Sequence, residues 1–574
     1  MNNFLSGKRY NYYFLGLLFI IGILLYGKVV LHAPFLFDDN LSIELNTTIH
    51  SLTPFSKFFK NSMELGSNFY RPVQNILHAL LYKLFKLNPL PYHLFSVLLH
   101  IFNAFIVFIL LKRLKLSIVG SSIASILFFI HPVQPESVSY LTGISDVLGF
   151  FFLGLGCLAF IKILLFKQQS YMQHSRHPEQ SEGSSKKIPY TRILRSLRSL
   201  RMTMGLKYAG ILLCFILALL SRETTIVFPG LALLFTIYFW KGLDNGKRKN
   251  AIIAVVILGI ISIVYLYIKL FVVNFTGVIG LSAEKNIYTE NLHIRLITYI
   301  NNLWSYAKLI VIPLNLFLEK PYVGYTTLLS FSGLFGSLAV FFSAFGSYIS
   351  FKKNKIIFFG VVWFFINMAT VMGIIPLNAM YLEHWLYTPI IGVCIILAGL
   401  FNDPQKETNF QEMKYRIPWI LILTLWMVFF GIRTYMRNLE WSDAVSFYKN
   451  EIYHSPGSGR IYNNLAMEYV DLGKYDDAIE YYKKAIAVRD DYPQTHHNLG
   501  NLYLGQGRYN EAYNEFFKAL QIDPNFIYTY GRLYKLFMDA GYKDKAELTV
   551  KFINHLQNGG KLSTKEFDIL FNNS

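Results

Sequence analysis

The sequence predicts an all-α protein in two parts, a polytopic bundle of membrane helices followed by a C-terminal helical-repeat solenoid. Three observations carry this reading. Hydrophobic residues make up 53% of the 574 positions and charged residues only 16%, with a mean hydropathy of +0.36, whereas an ordinary soluble protein carries about 25% charged residues. Apolar runs recur along the first three quarters of the chain, near 11–31, 92–111, 117–131, 146–166, 207–221, 224–240, 251–273, 327–350, 356–376, 385–401 and 417–434, about eleven spans in all. Beyond them, Ala444, Ala478, Ala512 and Ala546 recur every 34 residues, as do Gly473, Gly507 and Gly541.

The first run follows Lys8 and Arg9, is long for a signal-peptide core and has no small-x-small cleavage site, so it reads as a retained helix. The runs at 207–221 and 224–240 are short and poorly separated. The stretch 296–318 is a further candidate span, or a helix lying along the membrane surface, and 73–86 is amphipathic enough to lie on that surface. Segment 167–206 is polar and rich in Ser and Arg, and reads as a solvated, disordered cytoplasmic insertion. The expected domains are thus residues 1–440, a repeat domain over 441–560 outside the cytoplasm, and a tail at 561–574.

Charge follows the same division. The formal net charge is +19, but residues 442–574 hold 15 bases and 17 acids, leaving 39 bases and 18 acids to the apolar part. With the N-terminus inside, the cytoplasmic segments carry 25 of those 39 bases and 6 of the 18 acids, the positive-inside pattern. The excess is topological, and no nucleic-acid partner is implied. Cys157, Cys214 and Cys394 each sit in an apolar run, so neither a disulfide framework nor a cysteine metal site is expected.

The 34-residue period, kept also by Leu465 with Leu499 and Tyr475 with Tyr509, is the tetratricopeptide (TPR) pattern. Its helix pairs stack into a superhelix with a concave face. That face is either a groove for a polypeptide or a structural cap.

Polar clusters interrupt the apolar part, and all fall on one side under this topology. The first outer loop carries Phe37-Asp38-Asp39-Asn40 and then Tyr70-Arg71-Pro72. One carboxylate can take a proton from an attacking hydroxyl while its neighbour orients the acceptor; the alternative is a helix cap. The Arg71 guanidinium suits a phosphate, or snorkels to headgroups. The second loop reads His131-Pro132-Val133-Gln134-Pro135-Glu136-Ser137, followed by Gly143-Ile144-Ser145-Asp146. Ser221-Arg222-Glu223 and Tyr381-Leu382-Glu383-His384-Trp385 complete the set. Charges at such depth pair with one another or line a water-filled cavity.

FDD, YRP, HPVQPESVSYLTGISD, SRE and LEHWLY, in that order and followed by TPRs, resemble the transmembrane-and-TPR-containing glycosyltransferases, which are similar to the protein O-mannosyltransferases of the GT-C superfamily. The resemblance spans nearly the whole chain outside 167–206. It implies a GT-C-type membrane domain and a sugar donor, mannose or a similar hexose, on a polyprenyl phosphate. The acceptor is then a hydroxyl, foremost a protein Ser or Thr, attacked with inversion on the extracytoplasmic face. It also implies Asp38 and Asp39 as the catalytic acids, and Arg71, Arg222, His131 and His384 around the lipid phosphate. Tyr70, Glu136, Asp146, Glu223 and Glu383 are then supporting or acceptor-orienting residues. Two positions depart from the family pattern: Ser145, not arginine, precedes Asp146, and His384, not arginine, follows Glu383. A divalent cation, Mg or Mn, is a candidate cofactor for Asp38, Asp39, Glu136 and Asp146. The short TPR array points to a bacterial inner membrane with a periplasmic repeat domain. Two other readings are an enzyme acting on an envelope glycolipid or polysaccharide, and a non-enzymatic TPR scaffold. A scaffold needs no acidic pair and far fewer spans.

Overall fold

The computed structural model describes residues 8–63, 69–165, 205, 208–273, 287–320, 323–377, 379–400 and 410–563. The 167–206 insertion lies outside the described residues, apart from position 205. Every regular element among the described residues is helical. The chain divides into two compact units, Met1–Leu439 and Glu440–Ser574.

The first unit contains α1 (Lys8–His32), α2 (Pro72–Phe85), α3 (Pro89–Arg113), α4 (Ile118–Ile130) and α5 (Ile144–Leu164). After the insertion come α6 (Tyr208–Ser221), α7 (Phe228–Phe239) and α8 (Asn245–Tyr267). They are followed by α9 (Leu292–Val311), α10 (Phe331–Lys353), α11 (Lys355–Met368), α12 (Ile390–Leu400) and α13 (Phe410–Trp441). Seven helical stretches among the described residues are long and apolar enough to cross a membrane, and four apolar helices are shorter. A crossing needs about 20 apolar residues, so a multi-pass membrane protein results.

Every apolar run forms a helix, with boundaries moved by local chemistry. The late run starts at Ile390 rather than 385, because His384–Leu386 is a 3₁₀ turn held by the Tyr387 N–H to the His384 carbonyl. The preceding run stops at Met368. Arg222 and the 3₁₀ turn Glu223–Val227 separate α6 from α7. Asn88, Ser117, Asp244, Ser330 and Asn354 cap α3, α4, α8, α10 and α11 with side-chain acceptors for first-turn N–H groups.

α3 is central, packing against α1, α4 and α5, while α12 lies against α4 and α11. Gly360 and Gly392 let α11 and α12 touch: a Cβ on either would stand 2.6 or 2.4 Å from the other's carbonyl oxygen. One end of the bundle is tied by Lys112 to Asn11 (2.9 Å), Tyr10 to Ser122 (2.9 Å) and Tyr238 to the Leu114 carbonyl (2.7 Å). The opposite end holds the polar motifs. There α13 is fastened by Thr434 to the Ile130 carbonyl (2.6 Å) and by Asn438 to Ser139 (2.7 Å). α9, which covers most of the 296–318 stretch, buries Arg295, Thr298, Asn301 and Asn302 among its polar residues.

In the second unit, α14 (Ala444–His454) precedes three helix pairs: α15 (Gly459–Asp471) with α16 (Tyr475–Val488), α17 (Pro493–Gly505) with α18 (Tyr509–Ile522), and α19 (Ile527–Asp539) with α20 (Lys543–Gln557). Gly473, Gly507 and Gly541 all turn between paired helices with φ of +71° to +83°, which explains their exact phase. Ala478, Ala512 and Ala546 are buried where the pairs close.

Candidate active site

The loop joining α4 to α5 organises the motif-bearing end. Residues 131–150 are buried without exception, and a buried polar loop must find partners. It doubles back at Gly143, where a Cβ would lie 2.5 Å from the Glu136 carbonyl oxygen. From this loop, successive side chains reach four other parts of the chain. Glu136 Oε1 meets His384 Nδ1 at 2.5 Å. The Tyr140 hydroxyl donates to Asp38 Oδ2 at 2.9 Å. Thr142 gives both its N–H and its hydroxyl to Asp39 Oδ1, each at 2.7 Å, while its carbonyl accepts from Gln74 (3.2 Å). Arg222 donates to Ser145 Oγ (3.1 Å), and its Nε pairs with Asp146 at 3.0 Å.

The two adjacent acids are not equivalent. Phe37 adopts φ +58°, a left-handed conformation that costs a non-glycine residue about 1–3 kcal/mol, and the carboxylates then diverge. Asp39 is buried, and its second oxygen accepts from the Leu36 N–H at 3.2 Å. Burial pushes the Asp39 carboxyl up to about 7 despite these donors. It clamps the first outer loop to the second. Asp38 is half-buried and held by Tyr140. Of the two expected catalytic acids, Asp39 is thus buried as a clamp between the loops, and Asp38 is the more exposed carboxylate.

The cations are also built in. Arg71 grips Glu223 with Nε (3.2 Å) and Nη2 (3.0 Å), and its guanidinium stands 4.5 Å from the Phe69 ring. Tyr70 is buried beside it in the main apolar core. Glu383 Oε1 accepts from the Phe317 N–H and from Lys320 Nζ, both at 2.8 Å. Where the family pattern has arginine before Asp146, Arg222 supplies a guanidinium from the α6–α7 junction. At Glu383, Lys320 supplies a cation. Burial and the neighbouring Glu383 push the Glu136 carboxyl well above its usual range, and burial lowers His384 to about 4. A narrow cleft beside the pair is lined by Asp146, Thr224, Thr225, Asn367, Thr370 and His384.

His131 is removed from the phosphate set. Its Nε2 bonds the Ile310 carbonyl (3.1 Å), its Nδ1 accepts from the Val133 N–H (3.4 Å), and its ring packs on Phe430 at 4.4 Å. Burial lowers it to about 3. It is a neutral fastener of the loop to α9 and α13. The divalent-cation expectation also meets a poor fit. Asp39, Glu136 and Asp146 are each turned to a different partner, and among the described residues no three His, Cys, Asp or Glu side chains converge as ligands.

Lys320, Lys269, Tyr140 and Thr142 escaped the sequence reading. Lys269 had a signal, a lone charge inside an apolar run. Tyr140 and Thr142 lay inside the quoted second-loop motif without being singled out there; what faces them makes them important.

A multi-pass helical membrane domain with one buried ionic cluster at one end, followed by TPRs, is the class defined so far. Tetratricopeptide-repeat family models match residues 467–507 and 493–526. Over 465 residues the chain is 22% identical to the human protein named "Protein O-mannosyl-transferase TMTC3", covering 76% of this chain and 47% of that one. It is 25% identical over 468 residues to a Caenorhabditis elegans "Protein O-mannosyl-transferase F38B6.6", covering 77% and 58%. The resemblance to the transmembrane-and-TPR-containing glycosyltransferases thus extends over three quarters of the chain, which itself spans about half the length of these curated relatives. Among solved structures, MamA aligns with 22% of this chain and 75% of its own at 23% identity and a TM-score of 0.20.

Proposed function

We propose that this protein is a membrane glycosyltransferase that moves mannose or a similar hexose from a polyprenyl phosphate to a Ser or Thr hydroxyl of a polypeptide, on the extracytoplasmic face. The observation that carries the reading is the α4–α5 loop, which joins the FDD, ISD, SRE and LEH motifs into one buried charged cluster at one end of the bundle. A scaffold has no use for so many desolvated charges.

In the reaction, Asp38 takes the proton of the acceptor hydroxyl as its oxygen attacks the anomeric carbon. The bond from that carbon to the phosphate oxygen breaks with inversion, and its electron pair leaves on the phosphate. Tyr140 orients Asp38, and Asp39 holds the loop that carries it. Arg71 and Arg222, already fixed by Glu223 and Asp146, receive the leaving phosphate together with His384. Preorganised donors of this kind lower the barrier without reorganising during the step. The names of the relatives favour mannose and a protein acceptor, and the TPR repeats favour a polypeptide over a glycolipid.

The excess of Lys and Arg in the loops of the opposite end supports a cytoplasmic position for that end. This orientation fits a bacterial inner membrane, with the repeats on the periplasmic side. Glycan mass spectrometry of envelope proteins and glycolipids, with and without the gene, tests the acceptor class. Loss of hexose from Ser or Thr supports the proposal. Loss confined to glycolipids transfers the activity to the other acceptor, and no change in either overturns it.

A further inference from the structure

α3 lies at the centre of the membrane bundle, and one of its faces carries Ser96, His100 and Asn103, at steps of four and three residues. None of these side chains has exposed surface. Polar groups at such depth must be satisfied by other protein groups. Ser96 Oγ donates to the Val138 carbonyl at 2.6 Å. His100 Nε2 meets the Phe129 carbonyl at 3.2 Å, and its Nδ1 meets the Tyr387 hydroxyl at 2.8 Å. Asn103 Nδ2 donates to the Val147 carbonyl at 2.8 Å and to the Tyr387 hydroxyl at 3.0 Å. Chemistry fixes the direction of each bond. A carbonyl only accepts, so Nε2 of His100 carries a proton. Asn103 gives its two amide hydrogens to Val147 and Tyr387, so the hydroxyl hydrogen of Tyr387 goes to Nδ1 of His100. Rings seal this hub: Phe128 and Phe150 lie 5.3 and 6.2 Å from the Tyr387 ring, and Phe129 stacks on His100 at 4.8 Å.

The ends of this network lie in two different motifs. Val147 follows Asp146, which pairs with Arg222 at 3.0 Å. Tyr387 closes the 3₁₀ turn that carries His384, its N–H bonding the His384 carbonyl at 3.1 Å. A single amide thus ties the backbone beside Asp146 to the turn that carries His384, while its own hydrogen bonds go to neither of those side chains. We propose that Asn103, acting through Tyr387 with His100 as its brace, is a positioning residue for the transfer. It sets the ISD segment and the LEHWLY turn in register, so that the Asp146–Arg222 and Glu136–His384 pairs stand in one fixed relation. A misplacement of about 1 Å far from the chemistry can cost about a hundredfold in rate, and a network with every hydrogen assigned leaves little such play. Polar side chains between membrane helices also act as plain adhesive. Losing adhesive costs stability, whereas losing a positioning residue costs rate in protein that stays folded. The inference rests on the transfer reaction proposed above and adds Asn103 and His100, which lie outside every polar motif.

The test is steady-state transfer by the full chain in lipid nanodiscs, from polyprenyl-phosphate mannose to a Ser/Thr peptide, with rates expressed per folded protein. Asn103→Leu and Tyr387→Phe are each expected to lower kcat roughly tenfold or more, with the KM for donor and acceptor within about twofold of the parent. Asn103→Gln keeps the amide donors and should recover part of the rate. Because both residues act through one hydroxyl, Tyr387→Phe should cost much less in the Asn103→Leu background than alone. Tyr387→Phe deletes a single oxygen, so it keeps the test valid if Asn103→Leu fails to fold. A lower melting temperature with unchanged kcat in the folded variants makes the network an adhesive and overturns the positioning role. A raised KM at unchanged kcat moves the network to substrate binding and overturns it as well. An equal loss from Tyr387→Phe in both backgrounds overturns transmission through the hydroxyl. Absence of transfer by the unaltered protein sinks the proposed reaction itself, and the positioning role with it.

Discussion

Asp39→Asn separates the structural acid from the catalytic one. In the folded protein the Asp39 carboxyl is raised from 3.8 to about 7 by burial. A raised acid favours the folded state while it is protonated and disfavours it once ionised. Its stability contribution is therefore greatest below pH 3.8, falls as pH rises, and levels off above about 7. A shift of roughly three units corresponds to about 4 kcal/mol across the whole window, at about 1.4 kcal/mol per unit. Between pH 5 and pH 8, the part still to be lost is about 2–3 kcal/mol by the same arithmetic. The asparagine side chain cannot ionise, and its oxygen can keep both donors of Thr142, although its amide would face the Leu36 N–H. Unfolding midpoints of the detergent-solubilised protein, measured at both pH values, should show the gap between variant and parent shifting by that amount in the variant's favour at high pH. Every other titrating group cancels in the comparison. Parallel pH profiles for parent and variant would refute the buried-clamp assignment.

The Arg71–Glu223 pair makes a second prediction: Arg71→Ala should cost about 3–5 kcal/mol because it strands a largely desolvated carboxylate. Arg71→Lys should cost less, while losing the two-pronged grip and raising the donor KM; thermal unfolding and steady-state kinetics read both. Gly143→Ala should destabilise by about 1–3 kcal/mol and abolish transfer, since its Cβ would strike the Glu136 carbonyl and displace the loop that holds both aspartates. An unaltered melting temperature and rate for Gly143→Ala would show that the loop does not organise the site.

The fold was readable because its signals are local. Apolar runs long enough for helices announce themselves, and the 34-residue phase survives because a left-handed turn requires Gly473, Gly507 and Gly541. The site was legible only as a set of motifs. FDD named two acids, but a positive φ at Phe37 and the distant Thr142 decide which one is a clamp. His131 looked chemical beside two prolines, yet its partners lie on α9 and α13, nearly 180 and 300 positions away. The missing arginines before Asp146 and after Glu383 looked like losses of charge. Arg222 and Lys320 bring cations to those acids from other elements, a substitution that spacing along the chain cannot reveal.

The central claim is that Asp38 activates an acceptor hydroxyl against a polyprenyl-phosphate sugar. A single-turnover assay tests it most directly, with the full chain in nanodiscs, polyprenyl-phosphate mannose and a Ser/Thr peptide, comparing the parent with Asp38→Asn. The account predicts an inverted glycosidic linkage from the parent, and a rate lower by about 10²–10⁴ in the variant with polyprenyl-phosphate binding and melting temperature unchanged. Full transfer by Asp38→Asn, or a retained anomeric configuration, would contradict it.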